Sequence, residues 1–248
     1  MNLKSNSVSG CEALLRWKNA RHGMFSPAEF IPVAEDTGLI SQLGDWVLAT
    51  ACQEAVDWPD SAKLAINVSP IQFRSPTLGL HVVSALASSG MKPNRLELEI
   101  TEAVLTRDDD DAFATLQQLR AIGVRTALED FGTGYSSLSY LQRFPFDKIK
   151  IDRCFVKDIG ACDGSASIVQ AVVNIAASRS MTTTAEGVET VAQREALRAL
   201  GCTEIQGWLF SLARQATEIR QVLNMQTNQA AAAKVPALEV SAVALRTY

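Results

Sequence analysis

The sequence predicts an α/β fold in which parallel strands form a barrel surrounded by helices. The first observation is a repeated pattern, in which a short apolar run ends in a polar residue and a loop leads into an amphipathic helical segment. The second is the number of such runs. There are seven, and they are CEALLRW, KLAINVSP, RLELEITE, RTALEDFG, DKIKIDR, TTTAEGV and TEIQGWLF. Strands that alternate with helices form a mostly parallel sheet, because parallel neighbours need a crossover connection. This pattern is compatible with a barrel and with a long doubly wound sheet.

The third observation favours the barrel. The sequence contains no G-x-G-x-x-G and no G-x-x-x-x-G-K-[ST] motif, which weakens the case for a nucleotide-binding doubly wound sheet. We therefore predict a TIM-like (β/α) barrel, whose active site lies where the C-terminal ends of the strands meet.

Several helix ends can be read from the letters. SPAE at 26–29 is a capping box with proline at the first helical position. The helical segment 107–122, rich in aspartate at its start, is stopped by Gly123. TVAQ at 190–193 is a second capping box, and its helix ends at Gly201.

We predict one domain over residues 1–224, followed by a C-terminal tail over residues 225–248. The tail contains an alanine run that is compatible with a loose helix. Because the segment has no place in the alternation of strands and helices, we interpret it as mobile.

Composition narrows the function classes. An apolar fraction of 47% with 20% charged residues is typical of a globular protein with a substantial core. The net charge of −4 argues against DNA or RNA as the main partner but leaves a small anionic ligand possible. The 5 scattered cysteines fit a reducing cytoplasm, and the 2 histidines argue against a histidine-based zinc site. No apolar run is long enough to insert into a bilayer, and MNLKSNSVSG lacks the apolar core of a secretory signal.

Two adjacent carboxylates, Glu129 and Asp130, stand where the run RTALEDFG ends. Two unit charges ~4 Å apart repel by roughly 4 kcal/mol at the effective dielectric near a protein surface. Alternation along a strand can relieve the repulsion by pointing the side chains to opposite faces. A cation between the carboxylates can relieve it as well, and the dipeptide alone does not choose.

Polar residues at the C-terminal ends of the other runs favour the cation, because in a parallel barrel these ends converge on one mouth. The set is Glu12, Asn67, Glu99, Glu129, Asp130, Lys150, Glu186 and Gln206. Oxygen ligands without thiolate or imidazole select Mg²⁺ or Mn²⁺. Two such ions can clamp a phosphate and lower the pKa of a bound water, which is a device for phosphoester hydrolysis. In that chemistry Lys150 can hold the water or neutralise charge on the phosphate, and Glu186 can ligate a metal or take the proton.

The segment EALLRW at 12–17 resembles the signature of EAL-domain phosphodiesterases, which hydrolyse cyclic di-GMP. The resemblance covers about residues 9–224 and extends over many motifs in family order. These motifs are FSPAEFIPVAEDTGLI, INVSP, LELEITE, DFGTGYSSL, KIKIDR, AEGVET and IQGWLF.

The resemblance implies a function and a set of roles. It implies hydrolysis of one phosphodiester of cyclic di-GMP to linear pGpG, with two Mg²⁺ or Mn²⁺ ions. The implied metal ligands are Glu12, Asn67, Glu99, Glu129 and Asp130. The implied catalytic residues are Lys150, which contacts the attacking water, the essential Glu186, and Gln206 near the water and metals.

The resemblance further implies that Leu14, Arg16 and Asp152 contact the dinucleotide, and that Glu102 steadies the loop 131–137. In the family this loop couples dimer contacts to the active site, so a homodimer is expected. Three alternatives stay open. Glu102 can cap the following helix, Asp152 can be a strand-end ion pair, and Arg16 can be a surface cation stacked beside a tryptophan.

The chain departs from the family in two ways that bear on activity. Glu129 stands where the family usually has aspartate, which moves the carboxylate by about 1.5 Å. A displacement near 1 Å can cost roughly 100-fold in rate. Because glutamate still binds Mg²⁺, we expect impaired rather than abolished activity. The family's first helix and first strand, with a YQP-like motif, are also missing ahead of Glu12, and NLKSNSVSG looks like the turn after that strand.

Three hypotheses follow. The leading one is a metal-dependent cyclic-di-GMP phosphodiesterase of bacterial signalling. The second is a receptor that binds the dinucleotide without turning it over, and the third is a truncated protein-interaction module. The missing strand is compatible with an upstream start, with a fragment of a longer chain and with a partner that closes the gap.

Overall fold

The computed structural model describes residues 1–105, 110–132, 141, 143–160 and 163–232. The strands are β1 Gly10–Ala13, β2 Trp17–Asn19, β3 Gly23–Phe25, β4 Lys63–Val68, β5 Leu96–Thr101, β6 Arg125–Phe131, β7 Lys148–Ile151, β8 Thr182–Ala185 and β9 Glu204–Ile205. The α-helices are α1 Pro27–Asp36, α2 Leu39–Ala55, α3 Pro70–Phe73, α4 Leu78–Ser89, α5 Asp110–Ile122, α6 Arg153–Lys157, α7 Asp163–Ser178, α8 Val191–Ala199 and α9 Ala216–Ala232. Short 3₁₀ turns cover Pro93–Arg95 and Glu102–Val104.

Seven strands form one parallel sheet in the order β1-β4-β5-β6-β7-β8-β9. The two ends of this order meet in space, because the side chain of Gln206, just after β9, donates to Glu12 on β1 over 2.6 Å. A sheet whose first and last strands touch is curled around an interior. The predicted TIM-like (β/α) barrel is confirmed.

The strands have apolar outer faces and a polar inner face, which follows from their period of two. In β5, Leu96, Leu98 and Ile100 are fully buried in the main hydrophobic core. The residues between them, Glu97 and Glu99, point the other way, into the barrel, where they meet lysines from β7. Polar residues inside the barrel therefore come from the same runs that build the core.

The predicted capping boxes are confirmed. The backbone N–H of Ser26 donates to the Glu29 carboxylate over 2.8 Å at the start of α1. At α8, the N–H of Gln193 donates to the Thr190 hydroxyl over 3.2 Å. The predicted stop after α5 is also confirmed, because Gly123 has a φ of +92°, which a residue with a Cβ adopts only under strain.

The N-terminal residues differ from the prediction. A turn does form within the segment NLKSNSVSG, but the residues ahead of it pair with β9 in antiparallel fashion. The N–H of Ile205 donates to Met1 over 2.9 Å, and that of Leu3 donates to Thr203 over 3.0 Å. The N–H of Asn2 donates to Ser7 over 2.9 Å. Residues 1–3 thus lie between β9 and the chain leading into β1.

Two further findings concern the chain outside the sheet. An antiparallel ribbon of β2 and β3, which the sequence did not indicate, packs on α1, with Trp17 stacked 4.6 Å from Phe25 and edge-on to Phe30 at 5.7 Å. Helix α9 runs on to Ala232, within the predicted tail of residues 225–248, and residues 233–248 lie outside the described part. None of the helices in the described ranges has the length and apolar content that a membrane crossing requires.

Candidate functional site

A buried lysine stands at the centre of the barrel mouth. The Lys150 ammonium lies 2.8 Å from Glu99, 3.0 Å from Glu129 and 2.7 Å from Glu186. Glu12 is 3.8 Å away, and the lysine side chain is only 1% exposed. These carboxylates come from separate strand ends, as the sequence predicted, and they converge on one cation.

Glu12 is held from its other side by two amides. The Asn67 side chain donates to one oxygen of Glu12 over 2.6 Å, and the Gln206 side chain donates to the other over 2.6 Å. An amide that donates through its nitrogen keeps its carbonyl oxygen for another partner. Asn67 therefore orients Glu12 and still has an oxygen to offer a ligand.

The mouth holds more negative charge than its lysine can balance. Burial raises the pKa of Glu99 to about 8, and the neighbouring Glu12 and Glu129 carboxylates add to this against the opposing effect of Lys150. The pKa values of Glu129 and Glu186 are also raised, chiefly by burial. Burial opposes the charge of Lys150, yet the surrounding carboxylates raise its pKa well above the usual value. A further cation would relieve this excess.

The donor set fits a divalent metal ion. Glu12, Glu99 and Glu129 each offer a carboxylate oxygen, and these three atoms lie within 4.8 Å of one another. Opposite oxygens around an octahedral Mg²⁺ are about 4.2 Å apart, since each lies about 2.1 Å from the ion. Small movements would therefore bring the three carboxylates around one ion. Oxygen donors of this kind suit Mg²⁺ or Mn²⁺.

The adjacent carboxylates of β6 do not follow simple alternation. The pairing of β6 with β7 shifts register between Leu128 and Phe131, and Asp130 has a φ of +56°. Such a bulge re-aims side chains near a strand end. Glu129 reaches Lys150, while Asp130 is close enough to Asp152 for their like charges to raise its pKa, after the larger effect of burial.

The other predicted site residues lie around this centre. Asp152 caps the N-terminus of α6 by accepting the N–H of Cys154 over 2.8 Å. Glu102 starts the 3₁₀ turn after β5, and most of the loop 131–137 lies outside the described residues. Arg16 is exposed and donates to the carbonyl of Leu15 over 2.9 Å.

A cavity of about 730 Å³ borders the site at the seam between β1 and β9. Its lining includes Glu12, Leu14, Arg16 and Gln206, together with apolar residues of α2 and α9. Glu99 and Glu129 are not among the lining residues, so the cavity adjoins the carboxylates at one corner only.

Sequence reasoning missed a second polar layer beneath the mouth. Lys148 lies 2.6 Å from Glu97 and 2.8 Å from Glu204, all three buried. Each stands two residues before a predicted site residue on its strand. The period of two was visible in LELE, KIK and EIQ, and it could have revealed this layer.

The fold and the site together define a TIM-like (β/α) barrel whose carboxylate-rich mouth is suited to divalent cations. The chain belongs to the EAL domain family, because the family model matches residues 1–213.

Relatives named for an activity share this domain. The bifunctional diguanylate cyclase/cyclic di-GMP phosphodiesterase MucR of Pseudomonas aeruginosa is 42% identical over 214 residues, which are 85% of this chain and 31% of MucR. The solved PaMucR phosphodiesterase in complex with c-di-GMP has a TM-score of 0.81 and 42% identity, covering 85% of this chain and 87% of that one.

A manganese and cyclic-di-GMP complex of Klebsiella pneumoniae BlrP1 has a TM-score of 0.75 at 32% identity, covering 86% of this chain and 53% of that one. The chain spans 28%, 25% and 31% of three of the curated relatives that it matches. These relatives are therefore much longer proteins that contain this domain.

Proposed function

We propose that this chain is a metal-dependent phosphodiesterase domain that hydrolyses cyclic di-GMP to linear pGpG in bacterial second-messenger signalling. Membership of the EAL family and the MucR relatives support the substrate. The convergence of Glu12, Glu99 and Glu129 within 4.8 Å, around Lys150, is the observation that carries the chemistry.

Five residues are proposed to hold two Mg²⁺ or Mn²⁺ ions, and they are Glu12, Asn67, Glu99, Glu129 and Asp130. When bound, such ions polarise the phosphate and lower the pKa of the attacking water. The carboxylates that now crowd Lys150 supply the negative charge that holds the ions at the mouth.

Lys150 is proposed to orient the attacking water and to offset charge on the phosphate. Its raised pKa keeps it protonated at neutral pH, so it can donate hydrogen bonds but cannot act as a base. Glu186 is 2.7 Å from Lys150, and burial raises its pKa towards the range of a useful general base. We assign Glu186 to take the proton of the water and Gln206 to fix the orientation of Glu12.

The proposed reaction balances without any further reagent. The oxygen of water forms a bond to one phosphorus, and the bond from that phosphorus to the ribose 3′ oxygen breaks. One proton of the water passes to Glu186, which releases it to solvent, and the departing 3′ oxygen takes a proton from solvent and ends as a hydroxyl. The product keeps its phosphate on the 5′ side, as pGpG requires.

Substrate contacts are proposed for Leu14, Arg16 and Asp152 at the rim, and a steadying role for Glu102 on the loop 131–137. Leu14 and Arg16 line the 730 Å³ cavity beside Glu12, which supports a ligand-binding role there. We further propose a homodimer through the region of that loop and a cytoplasmic location, with which the scattered cysteines are compatible.

The test is direct hydrolysis. The protein is incubated with cyclic di-GMP and Mg²⁺ or Mn²⁺, and pGpG is followed by chromatography. Glu12→Ala should abolish product, whereas the matched control Glu195→Gln, an exposed carboxylate paired with Arg198, should not. Product formation by Glu12→Ala at the parent's rate would contradict the proposal.

One observation favours a second candidate, a receptor that binds without turnover. Glu129 replaces the usual aspartate, and its carboxylate is engaged by Lys150 at 3.0 Å. Calorimetry that finds tight binding of cyclic di-GMP without pGpG would support this candidate. Turnover that appears in Glu129→Asp would then identify the cause.

A further inference from the structure

Lys148 joins two carboxylates across the interior of the barrel. Its ammonium lies 2.6 Å from Glu97 on β5 and 2.8 Å from Glu204 on β9. The three side chains are 9%, 2% and 8% exposed, so these pairs are shielded from water. Arg125 gives Glu97 a second cation at 3.4 Å.

The three strands that Lys148 connects are not neighbours in the sheet. Strand β6 lies between β5 and β7, and strand β8 lies between β7 and β9. Backbone hydrogen bonds therefore join each of them to its neighbours but do not join them to one another. The two ion pairs cross the interior and fix how far apart alternate strands stand, which sets the curl of the sheet.

The same strands carry the mouth residues two positions further on. Glu99, Lys150 and Gln206 follow Glu97, Lys148 and Glu204 at that spacing. Two residues along a strand are about 6.6 Å, and both side chains point to the same face. A shift of one strand at the lower layer is thus passed to the upper layer with little loss.

We propose that Lys148 is a positioning residue, which holds β5, β7 and β9 at the separation that the mouth residues need for hydrolysis. This inference rests on the proposed phosphodiesterase function for its kinetic consequence. Lys148 itself touches no predicted substrate contact and lies beneath the carboxylates. Its effect is on the alignment of groups that act together in the transition state, where a displacement near 1 Å costs roughly 100-fold.

If Lys148 served only the stability of the fold, its removal would leave kcat and the Mn²⁺ affinity of a folded variant unchanged. Replacing a buried ion pair by uncharged side chains of similar size is often neutral for stability. The variant Lys148→Met/Glu204→Gln removes both cross-barrel pairs and leaves the net charge unchanged. Glu97 keeps Arg125 as its partner in this variant. The matched control is Lys92→Met/Asp60→Asn, which removes an exposed pair of 2.6 Å with the same charge change.

The experiment measures three properties of the parent, the double variant and the control. We expect the double variant to melt cooperatively, to lose about 10- to 100-fold in kcat with KM within about threefold, and to bind Mn²⁺ about tenfold more weakly by calorimetry. The control should match the parent in all three. Unchanged kcat and Mn²⁺ affinity in a folded double variant would overturn the proposal, and so would an equal loss in the control.

A second variant decides the matter if the double variant fails to fold. Of the two pairs that Lys148 makes, Glu204→Leu removes the one to β9, together with the hydrogen bond that Thr184 donates to Glu204, and Lys148 keeps Glu97. About a tenfold loss of kcat or of Mn²⁺ affinity supports the proposal, and parent-like values overturn it. Because Mn²⁺ binding is measured without substrate, a parent that does not hydrolyse cyclic di-GMP refutes the proposed function while leaving this inference testable.

Discussion

The mouth and the layer beneath it share strands β5 and β7 and use the same kinds of side chain, yet their charges are balanced differently. In the lower layer, burial acts to raise the pKa of Glu204, but the charge and hydrogen bond of Lys148 overcome this and lower it to about 2. In the mouth, burial and like charges raise the pKa of Glu99 to about 8 even though Lys150 is 2.8 Å away. In the lower layer the protein's own cations balance the carboxylates, whereas in the mouth they do not.

This difference indicates which of the two layers is the functional site. A charged network that is complete within the chain can serve the fold, whereas an incomplete one marks a place where something else binds. The excess of carboxylates around Lys150 is costly without a ligand, and a divalent cation would offset that cost. Substitutions placed two residues apart on one strand test whether the two layers differ in this way.

The largest expected effect is on activity at the mouth. Glu99→Gln removes a proposed metal ligand and one carboxylate partner of Lys150. We expect turnover of cyclic di-GMP to fall by at least about 10³-fold, because loss of a metal ligand and misplacement of the lysine act together. The measurement is the initial rate of pGpG formation under saturating Mn²⁺. A loss smaller than about tenfold would remove Glu99 from the proposed ligand set.

The next effect is on stability, where the two layers should respond in opposite directions. Glu97→Gln breaks buried pairs with Lys148 and Arg125, and loss of one partner of a buried pair typically costs about 3–5 kcal/mol. Glu99→Gln, two residues later, removes a carboxylate whose charged form the fold disfavours, so the metal-free protein should be unchanged or more stable at pH 8. Urea unfolding of both variants without metal is the measurement. Equal destabilisation by the two substitutions would contradict the contrast between the layers.

The sequence predicts the residues of the mouth better than those of the layer beneath it, for a physical reason. Glu12, Glu99 and Lys150 end apolar runs, so the rule that parallel strand ends converge places them together. Glu97 and Lys148 lie inside runs that are otherwise apolar. The period of two places them on the same face as Glu99 and Lys150, but only the curled sheet shows that they pair across the barrel. The motif residues could therefore be predicted from the sequence, whereas the cross-barrel pairs depend on the geometry of the closed sheet.

Two other features were out of reach of pattern reading. The bulge at Glu129 and Asp130 depends on a φ of +56° at Asp130, a conformation that aspartate adopts more often than most residues but whose place in a strand the letters do not show. The pairing of residues 1–3 with β9 depends on a gap between β9 and β1 that only the assembled barrel contains. Local letters predict elements well, but they do not predict how a ring of strands closes.

Melting temperatures measured against pH should distinguish the two layers, with an effect of intermediate size. Glu99 has a folded pKa of about 8 against an ordinary value of 4.5, so its contribution to stability is full below about pH 4.5 and is lost as pH rises through 8. Glu204 has a folded pKa of about 2 against 4.5, so its contribution is present above pH 4.5 and is lost as pH falls towards 2. The metal-free protein should therefore melt at its highest temperature near pH 5.

Added metal should remove only the fall in melting temperature on the alkaline side of this pH profile. A cation at the mouth favours the charged carboxylates, so added Mn²⁺ should raise the melting temperature at pH 8 and have little effect at pH 4. Thermal melts with Mn²⁺ and with EDTA across this range are the measurement. A metal effect of equal size at both pH values would mean that the ion does not bind through the carboxylates of the mouth.

The smallest effect concerns Glu129, where the family resemblance leads us to expect aspartate. Glu129→Asp shortens the side chain by one methylene, which withdraws its carboxylate from Lys150, now 3.0 Å away, and frees it to bridge cations. We expect a gain of about three- to tenfold in kcat and a modest rise in Mn²⁺ affinity, since realignment of less than 1 Å is involved. The same change in the lower layer, Glu97→Asp, should lower stability and bring no gain in kcat, because Lys148 would lose its contact at 2.6 Å. If Glu129→Asp instead lowers kcat, glutamate at this position is adapted to the site, and the longer side chain belongs to the working arrangement of the mouth.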